Sequence, residues 1–343
     1  MRFDLNDEQR AIKNAVHDLV ESHYDLTAAR RPSEGGRNDE LQSALTASGW
    51  DGLAIPAEYG GQGLGLLELS LVVEELGCAL APWTFFGNTA AGVVIAASGT
   101  AEQKRRWLPG IASGEERGTV GAVSADGGTI VLDGERAALI VSVAGDDVVR
   151  VTKSADVNRE PGTSLDITRW LTIAYGPPGE VLPHDTRRAL DRVEVLLAAE
   201  LVGVAEHAME LAVSYAKQRQ QFGRPIGAYQ AVSHRCADML IMVESARSAV
   251  LSAGWVADHE PERLPLAASV AKAVAADAAW HVATSALQVH GGIGFTWEHP
   301  IHLFVRRAAV SARLLGTVDQ HLDRAAGLSG LGREERVEER VGA

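Results

Sequence analysis

The stretch LDRVEVLLAAELVGVAEHAMELAVSYAKQR, residues 190–219, is a long, alanine-rich helical pattern without proline. Two similar stretches follow at residues 232–258 and 266–290, and only short loops separate the three. The second loop carries two prolines, which interrupt helices. Long alanine-rich helices joined by short loops are typical of antiparallel bundles. We therefore expect a C-terminal helical bundle beginning near residue 187.

Helical patterns also fill the first third of the chain. Asn6 and Gln9 have the spacing of a capping box, and apolar residues follow them at helical intervals. A second amphipathic helix is expected over residues 66–77, with the final glycine as its C-cap. A third is expected over residues 101–109. These patterns predict an N-terminal helical domain, residues 1–114.

Residues 115–186 have a different pattern. Short β-prone runs at 129–132, 139–143 and 148–152 are separated by Gly/Asp turns. They predict a small, reduced β domain. The expected fold is therefore mainly α with a β insert: an N-terminal helical domain, the reduced β domain, and a C-terminal four-helix-bundle domain over residues 187–343.

The acidic composition limits the classes of partner. The chain of 343 residues carries 32 Lys and Arg against 45 Asp and Glu, a formal net charge of −13, which argues against nucleic-acid binding. Its two cysteines, Cys78 and Cys236, lack CxxC spacing, so we expect no disulfide framework. The first residues lack the apolar run of a signal peptide, and the apolar stretches are too short to cross a bilayer. We expect a cytoplasmic protein without membrane insertion.

Four sequence motifs occur in order along nearly the whole chain. They are WDGLAIP with EYGGQGL (50–64), EQKRRWLP with ASGE (102–115), RQQFG with a later glutamine (219–230), and QVHGGIGF (288–295). In this order and spacing they resemble the acyl-CoA dehydrogenase family, whose fold also places a β domain between two helical parts. Taken singly, each motif has a simpler interpretation: the glycine pairs as turns or a helix C-cap, and Arg219 and Gln230 as solvated helix-surface residues.

The resemblance implies FAD as the cofactor, bound across a subunit interface. In the family, the adenosine and pyrophosphate end is held by the neighbouring subunit's Arg-x-x-Phe-Gly helix and Gln-x-x-Gly-Gly turn. Arg219 offers charged donors to a phosphate, Phe222 an apolar face, and Gly292 room for close backbone approach. The cofactor-binding candidates carried over by position are Arg219, Gln221, Phe222, Ile226, Gln230, Gln288, Val289 and Gly292.

A leucine occupies the position of the family's catalytic base. The family's Tyr-Glu-Gly-Thr motif falls without a gap on LLGT (314–317), so Leu315 replaces the proton-accepting glutamate, and we expect it to be buried among apolar groups. Arg307 replaces the usual aspartate of the preceding Arg-Asp pair. Some relatives place the base on the first bundle helix, where the matching position is Val193, beside Glu194. Because one residue turns a helix by about 100°, we expect Glu194 to face elsewhere as a solvated acid, and it is only a fallback candidate.

The β insert lacks two further family motifs, the Thr-Glu-Pro-x-Ala-Gly-Ser-Asp run and the Gly-x-Lys-x-Trp-Ile strand, which contact flavin and acyl-CoA. The resemblance is strongest to the short, non-catalytic subunit of the heteromeric dehydrogenases of actinobacterial steroid side-chain breakdown. We therefore expect this chain to complete the FAD site of a catalytic acyl-CoA dehydrogenase sister subunit in a heterotetramer. The sister would bind most of the acyl-CoA, and an acceptor such as an electron-transfer flavoprotein would take the electrons.

Three alternatives remain open. The chain is compatible with a homo-oligomeric dehydrogenase that uses an atypical base such as Glu194, with a flavin-dependent acyl-CoA oxidase, and with a non-enzymatic assembly subunit. The retained motifs at Arg219 and Gln288 argue against the assembly subunit. A neighbouring gene for a dehydrogenase with an intact β-domain motif and a carboxylate would favour the heteromer.

Overall fold

Helices form the N-terminal part of the computed structural model, which describes residues 4–30 and 39–331. They are α1 (Asp7–His23), α2 (Asp39–Ala47), α3 (Leu66–Cys78), α4 (Trp83–Ser98) and α5 (Ala101–Ser113). The predicted capping box is confirmed: Asn6 Oδ1 accepts the N–H of Gln9 at 2.8 Å, and Gln9 Oε1 accepts the N–H of Asn6 at 3.0 Å. Residues 1–3 and 332–343, the ends of the predicted terminal domains, lie outside the described residues.

The described part of the β insert forms one seven-stranded sheet in the order β5-β6-β2-β1-β3-β4-β7. The strands are β1 (Gly118–Val123), β2 (Thr129–Leu132), β3 (Leu139–Ala144), β4 (Val148–Lys153), β5 (Asn158–Gly162), β6 (Leu171–Tyr175) and β7 (Glu180–Val181). β1 and β3 pair in parallel, and the other neighbours pair antiparallel. The three predicted strands are confirmed as β2, β3 and β4. β1, β5 and β7 were missed because they contain glycine or proline or are very short, whereas β6 has a β-prone sequence that was not predicted.

The C-terminal part is again helical. It contains α6 (Thr186–Gln218), the short strands β8 (Gln220–Gln221) and β9 (Arg224–Pro225), α7 (Gln230–His259), α8 (Leu264–His290), α9 (Ile301–Ser311) and α10 (Val318–Ser329). The three predicted bundle helices are confirmed as α6, α7 and α8, and the expected fold class, mainly α with a β insert, is confirmed with them. The domain divisions at 114/115 and 186/187 stay predictions.

α6 is the central helix of the molecule. Every residue from 193 to 205 is buried, because α3, α4, α7, α8 and α9 all pack around it. Two glycines allow the closest of these approaches. A Cβ at Gly77 on α3 would lie 2.3 Å from the carbonyl oxygen of Glu200, and one at Gly203 would lie 2.0 Å from the backbone of α3. The prediction of a C-cap at Gly77 is therefore wrong, since this glycine serves helix packing.

Two other sequence expectations concern helix ends and membranes. α5 continues beyond the predicted end at Pro109 and is capped by Gly114, whose φ is +72°. Within the described residues one helix, α7, is long and apolar enough to cross a membrane by length and composition alone. α7 packs against α3, α6 and α8, so its buried apolar residues belong to the bundle.

Candidate functional site

A two-residue β-hairpin joins α6 to α7 and carries the RQQFG motif. Phe222 and Gly223 are the central residues between β8 and β9, with φ values of +52° and +81°. Two successive positive φ values are the geometry of a type I′ turn, which favours Asn-Gly and is strained for a phenylalanine. The turn leaves Phe222 93% exposed at the end of the bundle.

Backbone contacts fix the other predicted residues around the hairpin. Arg219 follows α6 as its C-cap, and its carbonyl accepts the N–H of Ile226 at 2.8 Å. The hydroxyl of Tyr229 donates to the carbonyl of Gln221 at 3.1 Å, and α7 begins at Gln230. Ile226 is half-buried against the core, whereas the side chains of Arg219, Gln221 and Gln230 are exposed.

The glycine-rich turn that follows α8 lies at the same end of the bundle. His290, the last residue of α8, stacks on Tyr215 of α6 with 4.7 Å between ring centroids. Gly291, with φ of +63°, caps α8 by donating its N–H to the carbonyl of Gln288, so the C-cap interpretation of this glycine is confirmed. A Cβ at Gly292 would meet no atom within 4 Å, so packing inside the chain does not require a glycine there.

The retained polar side chains have no partners inside the described part of the chain. Arg219, Gln230 and Gln288 are exposed, and their side chains form no hydrogen bond or ion pair with any described residue. Val289 differs, because its side chain is buried in the core and leaves only backbone for a ligand. Six of the eight predicted cofactor residues thus have at least partly exposed side chains at this end of the bundle, and Gly292 offers exposed backbone there.

The connection between β1 and β2 is a tight turn closed by its own polar groups. Ser124 Oγ donates to the carbonyl of Gly128 at 2.7 Å, and the N–H of Gly128 donates to Asp126 Oδ1 at 3.2 Å. These groups are therefore engaged with one another. The β domain offers fewer free donors at this turn than the outward-facing end of the bundle offers.

Leu315 lies in the turn between α9 and α10. Its φ is +56°, and that of Gly316 is +115°. Lys272 Nζ donates to the carbonyl of Ala312 at 2.9 Å, and His321 Nε2 lies 3.0 Å from the carbonyl oxygen of Leu315. The leucine side chain is only half-buried, so the expectation of full burial is wrong. The turn is held through its carbonyl groups, and the Leu315 side chain packs in part against the core.

Glu194 is buried, so the expectation of a solvated acid is wrong. Its side chain is 1% exposed and forms ion pairs with Arg187 and with Arg324, whose Nη1 lies 3.2 Å from Glu194 Oε2. The Nδ1 atom of His321 lies 3.9 Å from the same oxygen. Burial raises the pKa of Glu194 to about 7, although both arginines act in the opposite direction. The expectation failed because of tertiary packing: other helices surround α6 around residue 194, so no side of the helix faces solvent there.

Arg307 is a buried charge where α9 meets the other parts of the chain. Its guanidinium donates to the carbonyls of Leu80 and Ala81, between α3 and α4, at 3.0 and 3.1 Å. It forms ion pairs with Asp166 of the β5–β6 connection at 2.9 Å and with Glu200 of α6 at 3.0 Å. One side chain therefore joins the N-terminal helices, the β insert and the bundle.

A second buried arginine completes this junction. Arg169 forms ion pairs with Asp166 and Glu200 and lies over the ring of Trp83, 4.6 Å from its centroid. Burial opposes ionisation of Asp166, but Arg307 and Arg169 together hold the pKa of its carboxyl below the ordinary value. Arg307 could be singled out from the sequence, but its partners could not, because no local signal links residues that lie far apart in the chain.

The geometry can be compared with known proteins. Two family models match the chain: acyl-CoA dehydrogenase, N-terminal domain, over residues 6–115, and acyl-CoA dehydrogenase, C-terminal domain, over residues 185–327. The acyl-CoA dehydrogenase IpdE2 of Mycobacterium tuberculosis is 36% identical over 312 residues, which cover 90% of this chain and 93% of that protein. IpdE2 of Mycolicibacterium smegmatis is 34% identical over 325 residues, 93% and 98% of the two chains. A solved structure of a variant of the Tcur3481–Tcur3483 steroid ACAD is similar with a TM-score of 0.84 and 28% identity, over 95% of this chain and 98% of that chain.

Proposed function

Because the chain belongs to the acyl-CoA dehydrogenase family, we propose that it is the non-catalytic chain of a heteromeric, FAD-dependent acyl-CoA dehydrogenase. The complex introduces an α,β double bond into an acyl-CoA thioester, and FAD accepts the hydride when bound. One contrast carries the proposal: Arg219 and Gln288 are exposed and have no side-chain partner among the described residues, whereas Leu315 occupies the position of the base. A leucine side chain cannot accept the α-proton.

The end of the bundle around the hairpin fits the adenosine and pyrophosphate part of FAD. The exposed guanidinium of Arg219 provides charge-assisted donors for a phosphate. The exposed amides of Gln230 and Gln288 add neutral donors, and the open space at Gly292 admits close backbone approach. The exposed ring of Phe222 offers an apolar face. The full set proposed for the cofactor is Arg219, Gln221, Phe222, Ile226, Gln230, Gln288, Val289 and Gly292.

The sister chain supplies what this chain lacks. It provides the carboxylate, the β-domain surface for the flavin ring and most of the acyl-CoA pocket. The similarity to a steroid ACAD named for two chains, Tcur3481 and Tcur3483, supports a heteromer that acts on a steroid-derived acyl-CoA. The complex would be cytoplasmic, and an acceptor such as an electron-transfer flavoprotein would reoxidise its flavin.

A second candidate rests on Glu194. Its pKa, raised to about 7, suits a general base, and His321 lies between its carboxylate and the carbonyl of Leu315. A homo-oligomeric dehydrogenase with Glu194 as base would follow. Against it, the carboxylate is buried and engaged by Arg187 and Arg324, so it has no free path to a substrate in this arrangement.

Flavin content distinguishes the two candidates. The chain purified alone is expected to carry little FAD. Co-expression with its sister, to be sought as a dehydrogenase with an intact β-domain motif and a carboxylate encoded by a neighbouring gene, should give a yellow complex with fewer flavins than chains. Replacing the sister's carboxylate should abolish dehydrogenation, whereas Leu315→Glu in this chain should add no activity. One flavin per subunit in the isolated chain would refute the heteromer. Activity that survives loss of the sister's carboxylate but is lost with Glu194→Gln would establish the second candidate.

A further inference from the structure

The seven-stranded sheet has a second face, opposite to the one that packs in the main core. In the register of β3 and β4, Ser142 lies opposite Arg150 and Ile140 lies opposite Thr152, so these four side chains share the second face. The intervening valines of both strands belong to the main core on the other side. Among the described residues, the second face carries a small apolar cluster of three buried residues from β2, β3 and β6, partly covered by Val157. Most of its polar side chains are therefore not packed under another layer.

A cavity of about 290 Å³ lies on the second face. One wall of the cavity is the connection between β6 and β7, residues 176–179, which is GPPG. Two glycines let this connection lie close to the sheet: a Cβ at Gly176 would lie 2.7 Å from Val157, and one at Gly179 would lie 2.1 Å from the carbonyl oxygen of Val151. The volume is close to the lower end of the range for ligand pockets, roughly 300–1,000 Å³. The cavity therefore has room for a small molecule.

Four polar side chains line the cavity with unused hydrogen-bonding groups. Ser142 is 6% exposed, and its hydroxyl forms no hydrogen bond with any described residue. The hydroxyls of Thr129 and Thr152 also have no partner among the described residues. The guanidinium of Arg150 donates one hydrogen bond, to the carbonyl of Gly179 at 3.1 Å, and forms no ion pair with a described residue. Because a buried polar group without a partner is costly, this set indicates that a polar group from outside the chain binds here.

The lining determines the class of ligand. Arg150 supplies a positive charge, and no acidic residue is among the described residues that line the cavity. A guanidinium and hydroxyl groups are suitable donors for the oxygens of a carboxylate. The floor is apolar, formed by Ile140, Val157 and Ala174, and an inorganic anion would leave it in contact with water.

We propose that this cavity binds a small organic carboxylate with an apolar body. Arg150, Ser142 and Thr152 hold the carboxylate, and the apolar body lies on the floor. The site contains none of the residues proposed for the cofactor and no residue of the C-terminal helices, so the inference does not depend on the proposed function.

Isothermal titration calorimetry of the full-length chain tests the site with benzoate and with benzamide, a neutral analogue of similar shape. Benzoate should bind with a Kd below about 1 mM, and benzamide should bind at least about tenfold more weakly because it lacks the charge. Arg150→Gln should weaken benzoate binding at least about tenfold, and Ser142→Ala at least about threefold. Arg159→Gln is the matched control and should change the Kd less than about twofold, because Arg159 donates to the carbonyls of Gly134 and Glu135 and does not line the cavity.

Each other outcome has a defined meaning. No saturable binding of benzoate at up to about 10 mM would overturn the inference and show that the cavity holds only water. Equal affinity for benzoate and benzamide would overturn it as well, because the charge of Arg150 would then play no part. Inorganic phosphate that binds as tightly as benzoate would show that the apolar floor contributes nothing, which also contradicts the proposal. The comparison of benzoate with benzamide uses the parent chain alone, so it decides the question even where a variant fails to fold.

Discussion

The polar side chains at the two ends of α6 differ in burial and in pairing. Toward the N-terminal end, buried Glu194 pairs with Arg187 of the same helix and with Arg324 of α10. Glu200, near the middle of α6, is buried and pairs with Arg307 of α9. At the C-terminal end, Arg219 and the nearby glutamines are exposed and have no partner among the described residues. Where the sequence departs from the family pattern, as at Arg307, the new side chain is used inside the chain. Arg219, Gln230 and Gln288, which match the family motifs, have no side-chain partner among the described residues, and this is why we propose a use for them outside the chain.

The largest effect on stability is expected when the buried charge of Arg307 is removed from the junction. Arg307→Met would leave Asp166 and Glu200 with one arginine in place of two, and we expect a loss of about 3–5 kcal/mol in the free energy of unfolding. Urea unfolding followed by circular dichroism measures it. Arg306→Met is the matched control, because Arg306 makes a single exposed hydrogen bond to a carbonyl, and it should cost less than about 1 kcal/mol. Equal stability of the two variants would show that the junction does not hold the domains together.

A second test uses the pH dependence of Glu194. Its folded-state pKa of about 7 lies above the ordinary value, so the stability linked to its protonation is complete below about pH 4.3 and is lost as pH rises to 7. Relative to Glu194→Gln, the parent chain should therefore become less stable by on the order of 3 kcal/mol between pH 4.5 and 7.5. Burial lowers the pKa of His321 to about 4, so in the folded chain this neighbour of Glu194 stays largely neutral over the range and adds little to the difference. A difference that rises with pH would mean that Arg187 and Arg324 outweigh burial.

At the exposed end of α6 we expect a substitution to weaken FAD binding and to leave the free energy of unfolding almost unchanged. Arg219→Ala should weaken FAD binding by the assembled complex by about 1.5–3 kcal/mol, the range for a hydrogen bond to a charged group. Unfolding of the isolated chain should change by a few tenths of a kcal/mol at most. Flavin fluorescence titration and urea unfolding give the two numbers. Lys217→Ala, an exposed cation in the last turn of the same helix, is the control and should change neither.

The smallest effect is expected at the hairpin. There a substitution should raise the stability of the isolated chain and lower the retention of FAD by the complex. Phe222→Asn places a residue that tolerates positive φ in the turn, so the isolated chain should gain roughly 0.5–1 kcal/mol. The complex should meanwhile retain FAD less well, because the apolar face is lost. Melting temperature and flavin retention on gel filtration measure the two changes. A destabilised isolated chain would show that Phe222 packs inside its own subunit after all.

Local patterns predicted much of this molecule. α6, α7 and α8, the strands β2, β3 and β4, and the capping box at Asn6 follow from periodicity, β propensity and cap chemistry over a few residues. The gathering of Arg219 and Gln288 at one end follows from antiparallel helices joined by short loops. The packing role of Gly77 and the burial of Glu194 did not follow, because each is decided by helices distant in sequence. Long-range packing is the information that a single sequence shows least.

Under the proposed function, the junction at Arg307 also affects how difficult it would be to give this chain catalytic activity of its own. Arg307→Asp, which restores the family's residue, would place a third carboxylate beside Asp166 and Glu200 and leave Arg169 to face all three. The Arg307→Asp variant would lose buried ion pairs and gain repulsion between carboxylates. We therefore expect it to be too unstable to fold, whatever activity the substitution would add. Placing glutamate at Leu315 would not reduce this loss of stability. Under the proposed function, a change at Arg307 would therefore have to be accompanied by changes at its buried partners.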